Sequence, residues 1–338
     1  MRNLILFTAV ILIGCSSQVD MDIDMESLSE TEKFHALLDK EWKKGILNNP
    51  EWATRLGDNR FNDKLNDESY ETIVKRQGEI RDLLMEVEGI DRSKLPEDDI
   101  LNYDLYLNGI NKRIEGFEFL SYLMPIDQMG GIQIGFAGIS DYMPFKTVQD
   151  YENYISRMEA FPLKMAQTID LMKRGVESGW VPPKIVLRAV PDQIQSQFEK
   201  PIVESPFYEP FKEFPESIPL DAQKRLLDDV ERVLSDDVYS AYRSLFTYFN
   251  DFYLPACRES IACRDFPNGA EYYRYQIKSY TTTILTAEEI HQIGLDEVAR
   301  IRAEMMDVKK DAEFKGTFDE FLSFLRTSPE FYFISEDD

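Results

Sequence analysis

From Ser29 onward the apolar residues recur three and four positions apart almost without interruption, and that spacing dictates helices rather than strands. Phe34, Leu37, Leu38, Trp42 and Ile46 make the first buried stripe, on a helix that Asn49-Pro50 stops. A second pattern over about 68–88 carries Ile73, Ile80, Leu83, Leu84 and Val87, and a third over about 98–115 buries Leu101, Leu105 and Ile110. Tyr151, Ile155, Met158, Met165, Ile169 and Met172 predict a long helix over 148–176, broken or restarted at Pro162, whose nitrogen has no hydrogen to donate. Leu226, Val230, Val233 and Val238 set up another, running to about Tyr253. The aromatic residues at its end, from Tyr239 to Tyr253, read as core. Thr286 and Glu289 form a capping box, with Ile290, Gly294, Val298, Ile301 and Met305 on one face behind it. Gly294 inside that helix costs about 1 kcal/mol against alanine, which predicts close approach by another backbone. No alternating pattern rivals these helices, so the fold class is mainly α.

Two stretches break the period. Met124 to Pro144 is dense in glycine, and Met129 to Phe136 alternates loosely, which predicts an extended loop or a short strand. No phosphate-loop spacing accompanies those glycines, so no nucleotide site is expected. Prolines then punctuate an irregular region, and a sub-boundary within 181–219 is possible on composition alone.

The N-terminus carries a different message. Leu4 to Ile13 is a ten-residue apolar run behind Arg2, too short for the roughly 20 residues of a spanning helix. It reads as a signal-peptide core over residues 1–14. Leu12-Ile13-Gly14-Cys15 looks like a bacterial lipobox, in which the Cys15 thiol takes the diacylglyceryl group and becomes the mature N-terminus. Residues 15–28 are then a lipidated polar tether, and the membrane is the expected partner through Cys15. Ser16 beside Cys15 resembles the pattern that sends lipoproteins to an outer membrane, facing periplasm or surface.

Charge and residue scarcity narrow the chemistry. The chain has 62 acidic and 38 basic residues among 338, a net charge of −24 that repels phosphate and argues against nucleic-acid partners. Cys257 and Cys263 are an even pair at short spacing, and an oxidising compartment makes a disulfide between them the expectation if the chain turns there, with two buried free thiols as the alternative. There are two histidines, His35 and His291. Each sits in a Glu-x-x-His pattern, with Glu32 and Glu288, and two such patterns can build a di-iron site in a helical bundle. Glutamate is abundant here, however, and Glu289 already belongs to a capping box, so packing or surface roles are the simpler reading. No Gly-x-Ser-x-Gly elbow occurs, and neither histidine is followed by glutamate. Neither a catalytic residue nor a metal ligand is therefore assigned, and no cofactor is expected in this chain.

Several segments resemble a known family. Pro50-Glu-Trp-Ala-Thr-Arg-Leu-Gly57-Asp-Asn-Arg-Phe-Asn-Asp63 is similar to the opening signature of the bacterial domain-of-unknown-function family 885. So are Met172-Lys-Arg-Gly175, Gly179, Pro182 and Pro183, then Arg188, Pro191 and Gln193. Pro267 to Tyr273, Tyr280 to Thr283 and Leu285 to Met305 continue the likeness in the same order. The resemblance implies an elongated, multi-helix, zincin-like metallopeptidase architecture whose helices wall a channel. It also implies a zinc motif, a His-Glu helix with a later histidine, C-terminal to the matched segments; that motif has no counterpart here. Residues 29–338 are then expected to be the N-terminal part of such a domain, and zinc is expected only in the full-length protein. Ser335 to Asp338 reads as a helix start with no helix behind it, which points the same way.

The expected role is to form channel walls and bind peptide substrate in an exported lipoprotein, without catalytic competence alone. Gln128, Gly130, Gly131, Arg188, Gln193 and Tyr273 are the candidate substrate-binding residues. The rival reading is a non-enzymatic α-helical binding lipoprotein of the cell envelope. Oligomeric state is not legible.

Overall fold

Helix caps open the chain where the periodicity places them. The computed structural model describes residues 27–333 and 335; the apolar run, Cys15 and the tether to residue 26 lie outside the described residues, as do Ile334 and Glu336 to Asp338. Helix α1 (Glu30–Asn48) starts in a capping box, with Ser29 and Glu32 exchanging hydrogen bonds. Pro50 then opens the short α2 (Pro50–Arg55), where its missing N–H is harmless. Helices α3 (Tyr70–Glu88) and α4 (Glu97–Gly116) complete an N-terminal unit. Its core joins Phe34 and Leu37 of α1 to Ile80, Leu83 and Val87 of α3 and to Tyr103 and Ile110 of α4. Phe34 meets Tyr103 edge-on at 5.8 Å.

The stripes are narrower than the sequence suggests. Trp42, Leu101 and Leu105 are exposed instead of buried. On α4 the inward face is Asp99, Tyr103 and Ile110, so the leucines at 101 and 105 lie on roughly the opposite side of the helix. The buried Asp99 carboxylate is met by His35 Nε2 at 2.9 Å.

The spine of the larger unit is α6 (Val148–Ser178), which follows the short α5 (Ile132–Gly135). It begins in a capping box between Thr147 and Asp150 and ends at left-handed Gly179. Pro162 does not break it, contrary to expectation. Met158, Phe161 and Met165 on both sides of the proline are fully buried in one core, and that packing outweighs the lost backbone bond. Gly130 and Gly131 lead into α5 and a 3-10 turn, Phe136–Tyr142, so the expected strand is replaced by helical turns. Among the described residues there is no strand, only a single bridge between Pro183 and Arg258. The fold is mainly α.

The proline-rich stretch folds as 3-10 turns around α7 (Val190–Gln195). Phe207, Phe211 and Ile218 from that stretch enter the same core as α6. Helices α8 (Leu220–Val233), α9 (Tyr239–Tyr248) and α10 (Leu254–Ala256) are joined by wide π-helical turns, Leu234–Val238 and Phe249–Tyr253. Tyr239, Tyr242, Phe249 and Tyr253 are core residues, as their spacing requires, while Phe252 is exposed.

Helix α11 (Gly269–Thr281) returns to α4, where Lys278 pairs with Glu115 at 2.6 Å and Tyr275 donates to the Lys112 carbonyl at 3.2 Å. Helix α12 (Ala287–Asp311) opens with the expected Thr286–Glu289 capping box but buries no residue. A side chain at Gly294 would meet nothing within 4 Å, so close backbone approach is not the reason for that glycine. Helix α13 (Phe318–Thr327) folds back with Phe321 and Phe324 against Phe314, both at 5.3 Å. Among the described residues no helix is long and apolar enough to cross a membrane.

Candidate ligand pocket beside the glycine loop

The glycine loop is built around one carboxylate. Asp127 Oδ1 accepts from the amides of Met129 and Gly130 at 2.6 and 2.8 Å, and the Asp127 amide donates to the Gly130 carbonyl at 3.0 Å. Gly131 then takes φ +124° and ψ 175°, a conformation in effect reserved for glycine. A Cβ there would stand 3.0 Å from the Pro125 carbonyl and 3.1 Å from Ile126 Cα. The backbone next turns into α5, whose Ile132 carbonyl accepts from the buried Tyr242 hydroxyl at 3.1 Å.

Two glutamines clamp the loop to α7. Gln193 donates to the Gln128 carbonyl at 2.9 Å, and Gln133 Nε2 reaches Gln193 Oε1 at 3.2 Å and the Asp127 carbonyl at 2.7 Å. The structure thus joins Gln128, Gly130, Gly131 and Gln193 in one loop cluster. Arg188 stands apart from it, exposed and without a hydrogen bond or ion pair among the described residues. Tyr273 lines a separate hollow of about 630 Å³ with Cys263, Ile277 and Ile284.

Behind the loop lies a pocket of about 270 Å³. Its apolar floor is Ile132, Phe136 and Ile139, and its wall carries Glu51, Arg55, Glu68 and Lys164. Lys164 is only 7% exposed, although its ammonium is charged. Two carboxylates compensate it, Glu51 at 2.6 Å and Glu68 at 3.0 Å, leaving one of its three N–H donors uncommitted among these contacts. Arg55 lies over the Tyr142 ring at 4.4 Å, a cation–π contact that holds the guanidinium at the rim. Two cations and two anions over an apolar floor suit a small amphipathic ligand with charged ends of both signs.

About two helical turns from Lys164, Arg157 is entirely buried. Its Nε donates to the Lys64 carbonyl at 2.9 Å, and its Nη2 donates to Thr54 Oγ1 at 2.6 Å and to the Phe61 carbonyl at 3.1 Å. Burial pushes its pKa down to about 10, a shift that Glu51 and Asp63 partly oppose. Sequence reasoning missed both α6 cations. Their signal was available: Arg157 and Lys164 fall on the stripe of Tyr154, Met158, Phe161 and Met165, where a charge needs a built partner.

The cysteine pair is corrected. Cys257 and Cys263 are free thiols, the first buried and the second partly exposed. Cys257 is packed into the α6 core below Tyr253, while Cys263 heads a 3-10 turn seated against Gly269. Between them Arg258 closes the loop by donating to the Ala262 and Val181 carbonyls, the latter at 3.2 Å. Each sulfur is therefore held by its own surroundings. Burial pushes the Cys257 thiol up to about 12 and raises that of Cys263.

Among the described residues no three histidine, cysteine, aspartate or glutamate side chains converge. His35 is held by Asp99, and Glu32 and Glu289 are held by the caps they form. The side chains present do not fit zinc, which takes three or four histidine, thiolate or carboxylate ligands.

The profile of the family described as "Bacterial protein of unknown function (DUF885)" matches residues 50–338. The fold is similar to that of the crystal structure of the "putative lipoprotein from Colwellia psychrerythraea", with a TM-score of 0.77 and 21% identity. The superposition covers 92% of this chain and 56% of that one, so the present chain spans little more than half the length of that protein. No curated protein matches the sequence.

Proposed function

This chain belongs to the bacterial DUF885 family, and on that premise we propose that it forms the channel-walling, substrate-binding part of an exported, metallopeptidase-like lipoprotein. The observation that carries the reading is the pocket between the glycine loop and α6. Lys164 and Arg55 offer cations to a peptide carboxylate, Glu51 and Glu68 offer anions to an ammonium, and Ile132, Phe136 and Ile139 receive an apolar side chain. A volume of about 270 Å³ admits the end of a peptide rather than a folded partner. The family resemblance supplies the zincin-like part of the proposal. Zinc would be held outside the residues described here, and no catalytic step is assigned to any of them.

Lipid anchoring through Cys15 belongs to the same proposal. The similar fold carried by a protein called a lipoprotein supports it, as does the lipobox at Leu12 to Cys15. Ser16 favours the outer membrane. Replacing Cys15 with Ala should move the protein from the membrane fraction to the soluble one, and retention in the detergent phase would reject the anchor.

Peptide binding is tested by calorimetric titration with free tripeptides bearing aliphatic end residues. Saturable binding is expected, weakened about tenfold or more by Arg55→Gln, which removes an exposed rim cation, and by Lys164→Met. Equal affinity in both variants, or no saturable heat with any peptide, would overturn the reading.

A further inference from the structure

A second hollow lies elsewhere, on the N-terminal unit between α1, α3 and α4, with a volume of about 680 Å³. We propose that this groove is a second binding site, for a short uncharged saccharide, independent of the peptide pocket and of the reading built on it.

Trp42 is the first observation. It occupies a stripe position of α1, four residues from Leu38 and four from Ile46, yet it is 61% exposed and stands at the groove wall. Beneath it the floor is apolar, formed by Leu38, Ile80 and Leu83, with Tyr106 beside them. The Tyr106 ring is held 6.5 Å from Phe34, edge to face. An exposed indole and a second aromatic ring lining one hollow offer apolar faces on which the C–H face of a pyranose can stack.

Gly45 is the second. It lies inside α1 and lines the groove, where glycine costs about 1 kcal/mol against alanine. No close packing requires it, because a Cβ there would meet nothing within 4 Å. What the missing side chain does is leave the groove open one turn beyond Trp42.

Charge balance is the third observation, and it selects the ligand. The whole chain carries −24, whereas the groove is lined by three acids and three bases. Lys44 is placed between Glu79 at 3.1 Å and Glu41 at 3.6 Å, and Arg76 donates to the Asn48 carbonyl at 3.0 Å. Asp39 and Arg113 make no hydrogen bond or ion pair among the described residues and remain available at the rim. A neutral lining in an acidic protein favours neither an anion nor a cation. Charged and amide groups around an apolar floor give hydroxyls strong partners without requiring a charged ligand. An extended peptide is less suited, because helical walls have already spent their backbone amides and offer no strand edge to pair with.

The test uses the full chain, with maltotetraose, cellotetraose and tri-N-acetylchitotriose as probes, followed by tryptophan fluorescence and calorimetry. At least one probe should bind saturably and perturb tryptophan emission. Trp42→Ala should weaken binding tenfold or more while barely moving the melting temperature, since the ring is exposed. Gly45→Leu should raise or preserve the melting temperature through better helix propensity, yet weaken binding at least tenfold by filling the groove. Arg55→Gln, in the other pocket, should leave saccharide affinity unchanged, so failure here is separable from failure of peptide binding. The inference is overturned if none of the three probes binds, if a folded Gly45→Leu protein binds as the parent does, or if tripeptides compete for the Trp42-dependent signal.

Discussion

Arg157 donates from Nη2 to the hydroxyl oxygen of Thr54 at 2.6 Å, and through that contact the segment after Pro50 is bolted to the central helix. Thr54 in turn donates to Asn62 Oδ1 at 2.7 Å, and the carbonyls of Phe61 and Lys64 accept from the same guanidinium. Residues 50–64, which carry the opening family signature, are thus held by one buried cation. Truncating it leaves a desolvated hydroxyl and carbonyls without donors. Arg157→Leu should therefore lower unfolding free energy by about 3 kcal/mol or more. Arg157→Lys should fail to restore it, because an ammonium cannot reproduce the planar fork. Urea denaturation checks this. A loss in Arg157→Leu below about 1 kcal/mol would show that the network is not what holds the segment.

Gly131 should not tolerate a side chain. Its φ of +124° and the Pro125 carbonyl 3.0 Å from a built Cβ both penalise alanine. Gly131→Ala should cost about 1–3 kcal/mol and release the clamp between Gln128 and Gln193. Gly135→Ala, where nothing lies within 4 Å, is the control and should be close to neutral. Melting temperatures of the two variants decide the point, and equal values would contradict the geometry.

Acid should loosen the junction between α3 and α4. Hydrogen bonds from Ser93, and then from Lys94, hold the Asp91 carboxyl down at about 2. Its folded-state value lies below the unfolded one near 3.9, so its contribution is fully present above about pH 4. That contribution is lost as pH falls toward 2. Glu30, lowered by Lys33 and by the Asp91 amide, acts in the same direction. Thermal melts between pH 5 and 2 should fall less steeply for Asp91→Asn than for the parent. Parallel curves would remove Asp91 from the account.

The thiols should report their burial. Cys257 is buried with its thiol pushed up to about 12, and Cys263 is more accessible. Iodoacetamide at pH 8 should label Cys263 first in native protein and both residues after denaturation without reductant. Mass spectrometry that finds neither labelled in unreduced, denatured protein would reinstate a bridge.

Periodicity made the helices legible, because a three-to-four spacing has one local solution whatever the partners are. Ser29, Thr147 and Thr286 could likewise be expected at helix starts, since a cap depends on atoms within one turn. Thr286 with Glu289 was read from spacing alone. Burial was less legible. Trp42, Leu101 and Leu105 have the right spacing and face solvent, because which side of an apolar helix is covered depends on partners distant in sequence. Pro162 shows the same limit from the other direction, since two flanks buried in one core keep a helix whole against its local preference.

The glycine loop was legible as a special place, and its pairing of Gln128 with Gln193 joins residues 65 positions apart that the sequence proposed only separately. Lys164 with Glu51 and Glu68, and Arg157 with Thr54, were not legible as sites. Their partners lie about a hundred residues upstream, and only the folded chain brings a desolvated cation to the acceptors that make its burial possible. The sequence by itself determined most of the long helices, the Thr286–Glu289 cap and the family. The tertiary structure alone decided which polar groups share a pocket, because electrostatic and hydrogen-bond energies depend on distance in space, and separation along the chain does not reveal it.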